Sequence, residues 1–143
     1  MHFSNDLEKY SLEKVKTKLH NLNFSDAEMK KLIKEKPYFL DLEKLAAVGR
    51  LSVNGEYDIV DKILLISKLS PAVLDQLRKN ASRKAKNAKK SEDWEKVIEY
   101  LEGYTKYANR WKSYCVQFVM EEPPFHTNKD QSLLKLAREN TNK

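Results

Sequence analysis

Cysteine is nearly absent from this chain: Cys115 stands alone. An internal disulfide is therefore excluded, and so is a zinc site built from several cysteines. A lone thiol fits a reducing, intracellular setting. Glycine and proline are scarce, at three and four residues. No glycine-rich phosphate loop exists. No apolar run approaches the roughly 18 residues that a membrane span needs. The opening stretch, Met1-His2-Phe3-Ser4-Asn5-Asp6, lacks a basic region followed by an apolar one. It does not read as a secretory signal, and Asp6 and Glu8 argue against an intact mitochondrial presequence.

Catalytic groupings are equally thin. His2, His20 and His126 do not pair with each other or with Cys115 at metal-ligand spacing. Cys115 falls on the apolar side of its helix, which suits a buried, inert thiol better than a nucleophile. Glu92-Asp93 and Glu121-Glu122 read as a helix start and a helix end rather than as a general acid and base. The expectation is a protein that is not an enzyme, with no cofactor, no metal and no small-molecule substrate.

What is present favours helix. Leucine, lysine and glutamate abound in 143 residues, enough for one domain with a buried core. Charged residues make up 34%, but the hydrophobic 41% is too much for a wholly disordered chain.

Punctuation along the chain divides it into helical segments. Leu7 to Leu22 carries Leu12, Val15, Leu19 and Leu22 as one apolar stripe. Asn23 breaks it. Ser25-Asp26-Ala27-Glu28 is a capping-box pattern, with Phe24 placed as a hydrophobic staple. The helix it starts, with Met29, Leu32 and Ile33 on one face, ends at Pro37. Tyr38 to Val48 reads as a third helix with Leu42, Leu45 and Ala46 inward and Gly49 as C-cap. Asn54-Gly55 is a hairpin signal, but the flanking runs are short and a helix-to-helix loop is favoured. Asp58 is positioned to cap a fourth, largely apolar helix with Ile59, Ile63, Leu64 and Ile66. Ser70-Pro71 starts another, the proline lying where its missing donor costs nothing. Ser91-Glu92-Asp93-Trp94 begins a long helix that runs to Val119, with a bend near Gly103, and stops at Glu121-Glu122-Pro123-Pro124. Leu133 to Arg138 forms a short tail helix.

Pro37-Tyr38-Phe39-Leu40 recurs as Pro71-Ala72-Val73-Leu74, 34 residues later. Met29 and Leu32 map onto Ile63 and Ile66 at that offset. Such a period marks stacked helical units. The stretch from Ser11-Leu12-Glu13-Lys14-Val15 through Leu22-Asn23-Phe24-Ser25-Asp26-Ala27-Glu28-Met29 to Pro37-Tyr38-Phe39-Leu40 resembles a repeat of the mitochondrial transcription termination factor family. The resemblance covers about residues 11–74. It departs at Asn23, where that family usually has glycine, and at Ile59, where a small cap is expected. It implies a helical solenoid that binds DNA or RNA in an organelle. Localisation would then be mitochondrial, and otherwise cytoplasmic.

The resulting expectation is an all-α protein of five to seven helices in one domain. A helical-repeat-like antiparallel array over 11–74 precedes a basic helix and a long aromatic helix, paired as a hairpin over 75–120. A tail spans 121–143.

Charge is distributed unevenly. Arg78, Lys79, Arg83, Lys84, Lys86, Lys89 and Lys90 lie in thirteen residues that hold no acid. Outside that segment 20 basic residues face 21 acidic ones, so it carries the whole net charge of +6. On a helical wheel all but Lys84 share a sector of roughly 140°. Leu74, Leu77, Ala81, Ala85 and Ala88 fall opposite. Like charges so spaced repel, and a polyanion relieves the repulsion. Tyr100, Tyr104, Tyr107, Trp111 and Tyr114 form a stripe on the next helix, beside Lys96, Lys106 and Arg110. Such a stripe either stacks bases or packs as core, and core is favoured. The leading expectation is non-catalytic binding of RNA or DNA through the phosphate backbone. Arg78, Lys79, Arg83, Lys84, Lys86, Lys89 and Lys90 carry it, with Lys106, Arg110 and Lys112 secondary. The alternative is an adaptor or inhibitor that docks on an acidic or nucleic-acid-binding surface of a partner protein.

Overall fold

A computed structural model of the chain describes the backbone of residues 3–34, 38–118 and 124–142. Side chains are described for 12–34, 38–109, 111–112 and 124–142. The fold is all-α, with seven helices among the described residues. The chain divides into two compact units, Met1–Leu69 and Ser70–Lys143.

The first unit holds α1 (Phe3–Asn21), α2 (Asp26–Lys34), α3 (Leu42–Val53) and α4 (Tyr57–Ile66). The apolar stripe of α1 buries Val15 and Leu19. Asn23 adopts φ 66°, a left-handed conformation that asparagine tolerates, and so reverses the chain without glycine. The capping box then forms as read. The Glu28 N–H donates to Ser25 Oγ at 3.1 Å, and the Ser25 N–H donates to Glu28 Oε1 at 2.9 Å. That backbone bond, more than the neighbouring Lys44 charge, holds the Glu28 carboxyl below its usual range. Phe24 is buried beneath Lys44, whose Nζ lies 4.6 Å from the ring centroid and donates to Asn23 O.

The third helix corrects the sequence reading. It starts at Leu42 rather than Tyr38, because Asp41 is the cap and accepts from Lys44 N–H at 2.8 Å. Leu42 therefore sits at the helix mouth, 80% exposed, and Ala46 is exposed as well. Gly49 lies inside the helix, which continues to Val53. Leu45, Val48 and Leu51 supply the buried face. Asn54-Gly55 is a helix-to-helix turn, with Gly55 at φ +90°. Asp58 is not the cap of α4: Glu56 holds that position without a side-chain bond, and Asp58 lies in the first turn. Val60, Ile63, Leu64 and Ile66 are buried, and α4 packs on both α1 and α3. The segments leaving α2 and α4 meet in a single parallel bridge between Tyr38 and Ser67, where Lys68 N–H donates to Tyr38 O at 2.8 Å.

The second unit holds α5 (Pro71–Lys90), α6 (Trp94–Phe118) and α7 (Asn128–Thr141). Ser70 caps α5 by accepting from Val73 N–H, with Pro71 in the first turn as expected. Glu92 turns the chain at φ 54°, and Asp93 accepts from Lys96 N–H to start α6. The helix α6 runs without interruption through Gly103. Ala85 of α5, Val97 and Leu101 of α6, and Leu133 and Ala137 of α7 form the core. Small residues on α5 let the helices close tightly. Tyr104 is also buried, so the aromatic stripe packs at this position. Cys115, Tyr114 and Arg110 have side chains outside the described residues.

The tail helix is longer than Leu133–Arg138. Thr127 caps it at Asp130 N–H, and it extends to Thr141. The approach to it is tied to α6 by polar bonds. Tyr104 Oη–H donates to Pro124 O, and His126 Nε2–H donates to Leu101 O at 2.7 Å. Buried Asp130 accepts from Ser82 Oγ–H of α5 at 2.8 Å. Its other oxygen lies 3.9 Å from His126 Nδ1.

Burial pushes the Tyr104 phenol up to about 12. A raised folded value means that the unfolded chain ionises first. The contribution is complete below pH about 10 and is lost as pH rises toward about 12. Tyr104→Phe should lower stability near pH 8 by about 1 kcal/mol through the lost hydrogen bond. It should also flatten the alkaline decline in thermal melts taken from about pH 8 to about pH 12. Parallel curves for the two proteins would exclude this role for Tyr104.

Candidate nucleic-acid interface

The basic segment forms the last three turns of α5, and its side chains have different fates. Arg78 is turned inward, with its side chain 15% exposed. Its Nε–H and Nη2–H donate to Asp75 Oδ1 at 3.1 and 2.9 Å. Lys79 Nζ lies 3.2 Å from the other Asp75 oxygen. Burial pushes the Asp75 carboxyl up, but the hydrogen bonds and charges of Arg78 and Lys79 outweigh it and hold it below its usual range. These two cations therefore have an internal counter-charge. The signal was local: Asp75 precedes them at three- and four-residue spacing, where helical ion pairs form.

Lys84, the residue that left the wheel's cationic sector, is half-buried with Nζ 4.6 Å from the centroid of the Tyr100 ring. It covers that aromatic face, and the contact is a cation–π pair. Arg83 is half-buried and has polar or charged partners of its own. Lys112 lies over Phe125 at 5.6 Å. Lys106 is exposed on α6, and the side chain of Arg110 lies outside the described residues.

Lys86, Lys89 and Lys90 remain. All are exposed, and none forms an ion pair or cation–π contact with a described residue. Lys86 and Lys89, one turn apart, form one wall of a cleft of about 500 Å³. The first turns of α7 form the other wall, through Asn128, Lys129 and Ser132. Leu133 and Leu136 are the apolar part of the lining. Asp130 also borders it, but its carboxylate is held from within by Ser82 and faces His126.

Lys129 was missed by the sequence reading. It is separated from Lys89 by forty residues, and only the packing of α7 brings the two to one cleft. The available signal was Thr127-Asn128-Lys129-Asp130, a cap pattern that starts the helix earlier than Leu133.

No family model, curated protein or solved structure matches this chain.

The buried Ser82 and Asp130 and the neighbouring His126 do not form a nucleophile-activating relay. The serine bonds the carboxylate rather than the imidazole, and a main-chain carbonyl takes His126 Nε2–H. Among the described residues no three His, Cys, Asp or Glu side chains converge as metal ligands. No helix among them is long and apolar enough to cross a membrane.

Because Asp75 is held below its usual range, its contribution to stability is present above the unfolded value of about 3.9 and is lost as pH falls below it. Asp75→Asn should flatten that acid decline in thermal melts from about pH 5 to about pH 2. It should also release Arg78 and Lys79, so that the variant elutes from a heparin column at higher salt. Unchanged elution would mean that the Asp75 pairing does not withhold these two cations from a polyanion.

Proposed function

We propose that this chain is a non-catalytic nucleic-acid-binding protein that contacts the phosphate backbone of RNA or DNA, within a larger ribonucleoprotein or regulatory assembly. The observation that carries the reading is the division of labour on α5. Arg78, Lys79 and Lys84 have partners within the helix hairpin, while Lys86, Lys89 and Lys90 are exposed without an ion pair among the described residues, and Lys129 shares a cleft with Lys86 and Lys89. Unpaired like charges held close together on a folded surface raise its energy. A polyanion lowers it and gains the entropy of released counterions. Contacts of this kind position a nucleic acid without reading its sequence. The resemblance of residues 11–74 to the mitochondrial transcription termination factor repeats points the same way.

The working set proposed is therefore Lys86, Lys89, Lys90 and Lys129. Lys106 and Lys112 are peripheral, and Arg78 and Lys79 act mainly to hold α5.

A second reading is favoured by the first unit. Phe39, Leu42 and Val53 are 62%, 80% and 67% exposed. Large apolar side chains this open suit a protein partner. On that reading the chain is an adaptor or inhibitor that docks on an acidic or nucleic-acid-binding surface of a partner protein.

Fluorescence anisotropy with labelled RNA, single-stranded DNA and duplex DNA across a salt series separates the two. Wild-type protein should bind with a steep salt dependence. A variant with Lys86, Lys89 and Lys90 changed to glutamine should keep its helical circular dichroism. Its slope of log affinity against log salt should fall by about one for each lysine removed. Absence of binding at low salt would reject the nucleic-acid reading.

A further inference from the structure

The cleft between α5 and α7 combines two kinds of surface. Its rim is cationic, with Lys86 and Lys89 on one wall and Lys129 on the other. Its floor is apolar, made by Leu133 and Leu136. Leu136 is 37% exposed, a large apolar side chain in the same lining as the lysines. Asn128 and Ser132 add polar groups that both donate and accept hydrogen bonds.

A phosphate backbone alone uses only the rim. A regular duplex presents phosphates outward and keeps its bases stacked inside, so the floor would stay wet. Extruding a base from a duplex costs its pairing and stacking, whereas a single strand offers unstacked bases freely. The cleft, at about 500 Å³, lies within the range of pockets that hold small ligands, about 300–1,000 Å³.

We infer that this cleft takes one unstacked nucleotide of a single strand, with its phosphate on the lysine rim and its base against Leu136. The inference rests on the nucleic-acid reading above and sharpens it from any polyanion to single-stranded RNA or DNA. None of the three lysines forms an ion pair with a described residue, and three positive charges against one buried carboxylate favour an anionic occupant. The apolar floor sets its other half. Asp130 shares the lining, but it is 2% exposed and its carboxylate is bonded inward by Ser82, so the lysines are the charges that an occupant meets first.

The test uses the full chain and three fluorescent probes of equal length: a single-stranded oligonucleotide, the same backbone with abasic sites, and a duplex. Leu136→Ser removes the floor at a partly exposed position and keeps the backbone, and circular dichroism verifies the fold. It should weaken the single-strand complex by about fivefold and leave the abasic and duplex complexes unchanged. Lys129→Gln should weaken all three and reduce each salt slope by about one. Wild-type protein should prefer the single strand over both other probes. Binding of all three probes with equal affinity, or equal loss on all three in Leu136→Ser, overturns the inference and leaves the backbone reading standing. Failure of every probe at low salt overturns both, and an acidic protein segment then becomes the occupant to pursue.

Discussion

A single buried hydrogen bond, from Ser82 Oγ to Asp130, joins elements that are 48 residues apart. It links α5 directly to the first turn of α7. Asp130 is 2% exposed, and a carboxylate so placed needs its partners to offset the loss of water. Ser82 supplies one, and the Thr127 cap fixes the main chain beside it. The bond helps to hold the cleft together, because Lys129 and Leu136 meet Lys86 and Lys89 only while α7 is held there. Tyr104 and His126 secure the same junction from the α6 side. The polar bonds thus set the position of α7, and the Val97, Leu101, Leu133 and Ala137 core holds it.

Much of the helix pattern was legible because it is written in local chemistry. Ser25 with Glu28, and Ser70 with Pro71, need only neighbours within one turn, and both caps form as read. The misreadings also have local causes. Gly49 resembles a C-cap, yet Val48 and Leu51 continue the buried face past it, and packing keeps the helix going. The apolar run at Tyr38-Phe39-Leu40 resembles a helix start. Asp41 makes a better cap, and Tyr38 is instead drawn into the bridge with Ser67. The candidate site was legible only in part. Periodicity separates a cationic face from an alanine seam, but it does not reveal which cations find a partner. Asp75 lies just outside the acid-free segment, and Lys129 arrives from a distant element.

The first unit shows how few polar contacts organise a small helical assembly. Lys44 donates to Asn23 O, lies over Phe24 and sits 3.5 Å from Glu28. One side chain of α3 thereby touches the turn, the staple residue and the capping box that start α2. The Lys44 side chain as a whole is 19% exposed, with its ammonium shared among these three partners. The Tyr38–Ser67 bridge does comparable work for the two exits, pairing backbone that would otherwise lie between helices.

The cation of α5 held by two hydrogen bonds to a carboxylate is an arginine, and the three exposed ones without an ion pair to a described residue are lysines. Arg78 is clamped in a fork by two hydrogen bonds to one carboxylate oxygen. Lys86, Lys89 and Lys90 end in compact ammonium groups on flexible stems that nothing in the described structure restrains. Contacts made by such side chains form and break one at a time, each costing little to exchange. A surface of this kind tolerates irregular phosphate spacing and lets a bound chain shift register without full release. On the proposed function, the fixed Arg78 would serve as scaffold and the three lysines as a mobile grip, with short dwell times at any single position.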